Sequence, residues 1–158
     1  MQATFVHLRV HSEYSLVDSV IRLPELVKQT SADNVPALGI TDHGNLFAFV
    51  KFYKACLQAG IKPIVGADLQ VSFGDGLTDY APLVFLCRND EGYQNLKRLI
   101  TRSFVEGRRN GVPVVNFDWL DRSSLDGIVV LSAGLEGLLG RYLLGGCEQE
   151  AEDFVRTF

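Results

Sequence analysis

The stretch Pro36-Ala-Leu-Gly-Ile-Thr-Asp-His-Gly-Asn-Leu46 decides how this chain is read. Pro36 to Ile40 reads as a short buried strand. Thr41 to Asn45 then places a carboxylate, an imidazole and a glycine where that strand should end, and from Leu46 the apolar spacing turns helical. Polar side chains at the carboxyl end of a strand are where α/β folds carry their chemistry. Thr41 to Asn45 is therefore the first candidate site, and its partners are to be sought at the ends of neighbouring strands.

Upstream, Phe5-Val-His-Leu-Arg-Val-His11 reads as a short strand, followed by loop-like Ser12 to Ser19. Pro24 suits the first turn of a helix ending near Asp33, with Leu23, Leu26 and Val27 inward. Downstream, Leu46, Phe49, Val50, Tyr53 and Leu57 recur at steps of three and four. That spacing predicts a helix from Leu46 to about Ala59, stopping at Gly60. Lys62 to Phe73 and Ala81 to Cys87 read as strands around a turn at 74–79, an antiparallel hairpin that interrupts β/α alternation. Asp90 is placed to cap a helix reaching Glu106, with Tyr93, Leu96, Leu99, Ile100 and Phe104 inward.

Gly107 to Pro113 reads as a basic loop and Phe117 to Leu120 as one helical turn. Gly127 to Ser132 is a fully apolar run, as in a parallel strand covered on both faces. Gly134 to Leu144 and Cys147 to Phe158 read as two helices. The order predicts an α/β layout with mostly parallel strands and right-handed crossovers. The last helix has neither a cap nor a closing strand after it, so a piece of a longer chain is expected.

With 158 residues, the chain is long enough for one core, and 47% hydrophobic with 22% charged residues argues against disorder. A net charge of −4 leaves no global basic footprint of the kind nucleic-acid-binding modules show. Cys56, Cys87 and Cys147 are widely spaced and lack a Cys-x-x-Cys pair, so they read as reduced, core-filling thiols. The amino terminus lacks the pattern of a signal peptide, and no apolar run approaches the roughly 18 residues of a membrane span. A soluble, cytoplasmic protein is expected.

Three strand ends offer ligands: His11, with Arg9 before it and Asp18 after it; Asp42 and His43; and Asp68. Residues two apart on a strand share a side, so Arg9 and His11 face a common space. Imidazole combined with carboxylate suits zinc, manganese or iron better than calcium. Each residue also has a structural reading: a hydrogen-bonded His, a turn or helix cap at Asp18, a cap at Asp42, a solvent-facing Asp68. Arg9 is incapable of ligation, because a guanidinium has no lone pair to donate, but beside Asp18 or Asp68 it takes the place of a cation. Lys97, Arg98, Arg102, Arg108 and Arg109 form the one local basic stretch, read either as a solvated face or as a contact for phosphate or an acidic partner.

Val6-His-Leu-Arg-Val-His-Ser-Glu-Tyr-Ser-Leu-Val-Asp18 resembles the first motif of the PHP (polymerase and histidinol phosphatase) domain, which reads His-x-His-[Ser/Thr], Tyr-Ser, Asp-Gly. Ala37 to Leu46 resembles the second motif, and Gly60 to Asp68 the third, where Glu is usual at the last position. Val50-Lys-Phe-Tyr53, Tyr93-Gln-Asn-Leu96 and Gly127 to Ser132 are similar to PHP domains at the amino terminus of bacterial replicative DNA polymerase III alpha subunits.

The resemblance implies a distorted seven-stranded β/α barrel, TIM-like and incomplete in this chain, of which residues 1–158 form the amino-terminal part of a single domain. It implies up to three rim metals and, in members with intact sites, phosphoester hydrolysis, including 3′–5′ exonuclease proofreading. By that match, His11, Asp18, His43 and Asp68 occupy remnant ligand positions, Arg9 replaces the first His, Asp42 lies behind them, and later motifs fall beyond Phe158. What it leads one to expect is a structural module that docks the proofreading exonuclease subunit and other polymerase III holoenzyme subunits. DNA would be contacted through the parent polymerase, which uses magnesium, and the chain itself would hold no cofactor unless the remnant keeps zinc or manganese. The alternative is a metal-dependent phosphoesterase acting as a 3′–5′ exonuclease or pyrophosphatase. An unclosed barrel also leaves strand edges unpaired, so self-association of the chain is expected.

Overall fold

The sheet is built on one long strand, β2 (Lys62–Ser72), in the computed structural model, which describes residues 5–74 and 79–157. Buried positions run almost without a break from Val65 to Ser72, so both faces of this strand are covered. On one edge β2 pairs in parallel first with β1 (Ala37–Ile40) and farther along with β5 (Val112–Asn116). On the other edge it pairs antiparallel with β3 (Tyr80–Cys87), which in turn takes β6 (Ile128–Leu131). A two-residue β4 (Arg108–Arg109) completes a six-stranded open sheet, in the order β4-β5-β2-β3-β6 with β1 also on β2.

The hairpin expected after residue 62 is present, and its turn falls partly at 75–78, outside the described residues. The mostly parallel sheet is not: the β2–β3, β3–β6 and β4–β5 pairs are all antiparallel. β6 is an edge strand with Val129 open to solvent, not a covered parallel strand, because an unbroken apolar run does not reveal the direction of its neighbour. The expected basic loop is the β4–β5 hairpin, turned by Asn110 and Gly111 at positive φ. This Asn-Gly pair suits a tight hairpin turn.

Phe5 to His11 runs along the other edge of β1 without forming a regular strand. Gly39 N–H donates to His7 O at 2.7 Å and Thr41 N–H to Val10 O at 2.9 Å. The acceptors lie one residue farther apart than the donors, so an extra residue bulges out and breaks the ladder. Gly39 is required at this crossing: a Cβ there would sit 2.5 Å from the carbonyl oxygen of Leu8.

Helices α1 (Leu23–Ala32) and α2 (Phe49–Gln58) pack over β1, with Leu23, Val27, Leu38, Ile40, Phe52 and Cys56 in one cluster. Pro24 lies in the first turn of α1, as expected. In α2, Phe52 and Cys56 point inward, while Val50 and Leu57 are each 57% exposed and Tyr53 is also open. α2 is apolar on two sides, and spacing alone does not say which side meets the sheet.

Helix α3 (Asp90–Val105) buries Leu96 and Leu99 against β2 and β3, whereas Phe104 is exposed. Its cap is Asn89, whose side chain accepts the Gly92 N–H, and Asp90 lies within the first turn. A single 3-10 turn forms at Phe117–Trp119, and after β6 a second at Gly134–Glu136 leads into α4 (Leu138–Leu144) and α5 (Glu148–Thr157). Cys56 is buried and all three thiols are free; burial pushes Cys56 and Cys87 up to about 11, which leaves them poor nucleophiles. No described helix is long and apolar enough to cross a membrane.

Gly39→Ala should force the Leu8 backbone away from β1 and destabilise the chain by about 1–3 kcal/mol, as overpacked cores do. Urea unfolding checks this, and a variant as stable as wild type would show that the close crossing is not needed.

Candidate metal centre

After Ile40 the chain continues beside β2 in the same parallel register, with an isolated bridge between His43 and Asp68. Asp68 N–H donates to Asp42 O at 3.2 Å and Gly44 N–H to Asp68 O at 2.8 Å. His43 is thereby fixed next to Asp68. The Cβ-free Gly44, at φ 64, turns the chain away toward α2.

Asp42 points away from the other candidates and serves as an anchor. It is buried and accepts Ser12 N–H at 2.7 Å, Ser12 Oγ–H at 2.8 Å and Ser15 Oγ–H at 2.7 Å. Ser15 Oγ in turn accepts the His43 N–H at 3.2 Å, and Asn45 donates to Tyr14 O at 3.0 Å. These bonds clamp the 3-10 segment Glu13–Asp18 onto the end of β1, and with it the Leu16 kink at φ 57. Capping of the turn before α2 falls to Asn45, whose Oδ1 accepts the Phe47 N–H, so the capping alternative for Asp42 is not taken. Ser12 and Ser15 match the first motif, but their role as partners of Asp42 is not readable from the sequence, because a motif position does not name the group it bonds.

The clamp sets Asp18 beside both imidazoles. Asp18 Oδ2 lies 2.5 Å from His11 Nδ1 and 3.4 Å from His43 Nε2, and the two rings are 4.2 Å apart between centroids. One ligand atom from each of His11, Asp18 and His43 fits within 4.8 Å of the others, the donor set for a single transition-metal ion.

Asp68, the fourth candidate, is committed elsewhere. Its side chain is fully buried, and Oδ2 receives Arg9 Nε at 2.7 Å, Arg9 Nη2 at 2.7 Å and His11 Nε2 at 2.9 Å. Asp68 is therefore not the solvent-facing hairpin residue that one reading allowed. Arg9 extends farther, to Glu136 at 2.9 Å and the carbonyl of Ala133 at 3.4 Å. It thus links the segment flanking β1 to the loop that leaves β6. Nothing in the sequence pairs Arg9 with Glu136, because 127 positions separate them. Asp68 Oδ1 and Thr41 Oγ1 are buried without a hydrogen-bond partner among the described residues.

The basic stretch does not converge on the site. Lys97 lies over the Tyr93 ring, Arg98 bonds Asn95 and approaches Glu91, and Arg102 pairs with Glu106 while stacking on Trp119. Arg108 and Arg109, on β4, bond carbonyls of Gly111 and Gly74.

Residues 7–158 match the family described as the PHP domain. The chain belongs to the PHP domain family. It is 44% identical over 158 residues to the DNA polymerase III subunit alpha of Pseudomonas fluorescens, covering 100% of this chain and 13% of that relative. With the DNA polymerase III subunit alpha of Escherichia coli K12 the identity is 47% over 157 residues, covering 98% of this chain and again 13% of the relative. The PHP chain thus spans about 13% of the length of these curated relatives. Among solved structures, a candidate metal-dependent phosphoesterase from Bifidobacterium adolescentis aligns at 11% identity with a TM-score of 0.48, covering 65% of this chain and 34% of the other.

In this PHP site both His11 nitrogens face carboxylates, an arrangement that suits an imidazolium donating twice. The Asp68 hydrogen bond raises the His11 pKa, burial opposes it, and the Asp68 and Asp18 charges add to the rise. For Asp18, burial pushes upward, but the His11 and His43 contacts outweigh it and the pKa falls. A raised histidine pKa adds stability that is fully present below the unfolded value of about 6.5 and is lost as pH rises through the folded value. In metal-free protein the His11 ring should titrate above about 6.5 by NMR, and urea midpoints should fall as pH passes upward through that value. A midpoint at or below the free-imidazole value would show that the two carboxylates do not hold the proton.

Proposed function

We propose that this chain is a structural, partner-docking PHP module of a replicative DNA polymerase alpha subunit, carrying a degraded metal site. The observation that carries this reading is Arg9 on Asp68. A permanently charged group with no lone pair occupies the acidic residue that the family resemblance marks as a ligand. The parent protein would add deoxynucleotides to a primer with magnesium in its own catalytic domain, and would act with a proofreading exonuclease subunit and other holoenzyme subunits. DNA would be met through the parent, in the bacterial cytoplasm. The support is whole-chain similarity to alpha subunits together with the PHP assignment.

A second reading has one observation in its favour, the grouping of His11, Asp18 and His43. These residues would hold one zinc or manganese ion, which supplies Lewis acidity toward a phosphoester when bound. To ligate, His11 must give up a proton that Asp18 and Asp68 favour, and Asp68 must leave Arg9. The donor set therefore fits a single weakly held ion and not the multi-ion site of a hydrolase.

Protein purified without chelator should contain far less than one zinc or manganese ion per chain by mass spectrometry of metals. It should also release no product from a phosphodiester substrate. Stoichiometric metal that His43→Ala removes, accompanied by hydrolysis, would overturn the structural reading in favour of the phosphoesterase.

A further inference from the structure

Helix α2 has a second apolar side that no described element covers. Val50, Tyr53 and Leu57 recur along it at steps of three and four, flanking the buried Phe52 and Cys56 on the solvent side. A surface helix ordinarily presents one apolar stripe to the core and polar residues to water. This outer stripe continues onto α3. Tyr53 packs on Phe49, and Phe49 packs on Tyr93 with ring centroids 4.9 Å apart. Beside them a groove of about 480 Å³ opens between the turn before α2 and the carboxyl half of α3, lined by Leu46, Phe47, Ile100, Phe104 and Val105. Phe47 is 73% exposed and Val105 is 75% exposed. Continuous exposed apolar surface of this kind marks an interaction site.

The charges on this surface narrow the occupant. α2 carries Lys51 and Lys54 and no acidic residue. Lys97 lines the groove, and the acids Glu91 and Glu106 on α3 lie within ion-pair distance of Arg98 and Arg102. Phosphate alone would leave the aromatic and aliphatic groups uncovered. A second copy set symmetrically on the patch would bring Lys54 and Lys97 against their own counterparts, which like-charge repulsion disfavours.

We infer that the α2–α3 surface is a docking groove for an acidic amphipathic helix of a partner protein. Apolar residues at helical spacing would enter between Phe47 and Phe104, and carboxylates would face Lys54 and Lys97. This rests on the docking role proposed above and assigns it a place, the surface between the turn before α2 and the carboxyl half of α3.

The test titrates the full chain with a synthetic twelve-residue helix bearing Leu at helical spacing and Glu elsewhere, alongside a version with Lys replacing Glu. NMR shifts should change at residues 44–57 and 97–105 with the Glu peptide only. Binding should weaken as salt rises, and Phe47→Ser or Lys97→Glu should reduce affinity at least tenfold. No binding, shifts elsewhere, equal binding of the Lys peptide, or a chain whose mass doubles through this face would overturn the proposal. Metal content and hydrolysis are unaffected by any of these outcomes, so failure of the groove is distinguishable from failure of the structural reading.

Discussion

The Asp68 carboxylate lies wholly inside the molecule on the central strand, and a buried charge is tolerated only when it is paired and hydrogen-bonded. Arg9 provides that pairing with a charge that no accessible pH removes. Its two nitrogens hold Asp68, and the remaining reach of the guanidinium goes to Glu136 and Ala133. One side chain therefore neutralises the centre of the sheet and ties the segment flanking β1 to the segment after β6. Removing one partner of a buried pair typically costs 3–5 kcal/mol; the cost here should fall at or below about 3 kcal/mol, because Arg9 is partly exposed and His11 remains as a second donor.

The site is layered around that pair. Asp42 and its serines shape the turn that carries Asp18, and Asp18 faces His11 and His43. His11 connects the two halves, with one ring nitrogen toward Asp18 and the other toward Asp68. The arrangement of His11, Asp18, His43 and Asp68 is thus held by hydrogen bonds and ion pairs among these residues themselves. On the structural reading proposed above, the Arg9 guanidinium sits where a ligand set would need a lone pair.

Much of this was legible in the chain itself. The strand Ala37–Ile40 and the turn chemistry of Thr41 to Asn45 follow from an apolar run ending in polar residues. The grouping of His11, Asp18 and His43 matches positions that the family resemblance marked, whereas Asp68 pairs with Arg9 and His11. The incompatibility of Arg9 with ligation follows from its functional group. The anchoring role of Asp42 was not legible, because its partners Ser12 and Ser15 lie some thirty positions away and their motif positions do not say what they bond. The buried face of α2 was not legible for a related reason. Its outer residues Val50, Tyr53 and Leu57 keep the helical spacing as well as its inner ones do, and only the sheet decides between them. Strand direction was lost at β6, since an apolar run of four residues reads alike in parallel and antiparallel pairs.

The central claim is that Arg9 and Asp68 act as one unit in place of a metal-centred pair. A double-mutant cycle with Arg9→Ala, Asp68→Asn and the combined variant, followed by urea unfolding in the presence of chelator, measures that unit directly. A coupling energy of about 1–3 kcal/mol is predicted, since the second substitution should cost little once the first is made. Effects that add to within about 0.5 kcal/mol would contradict it.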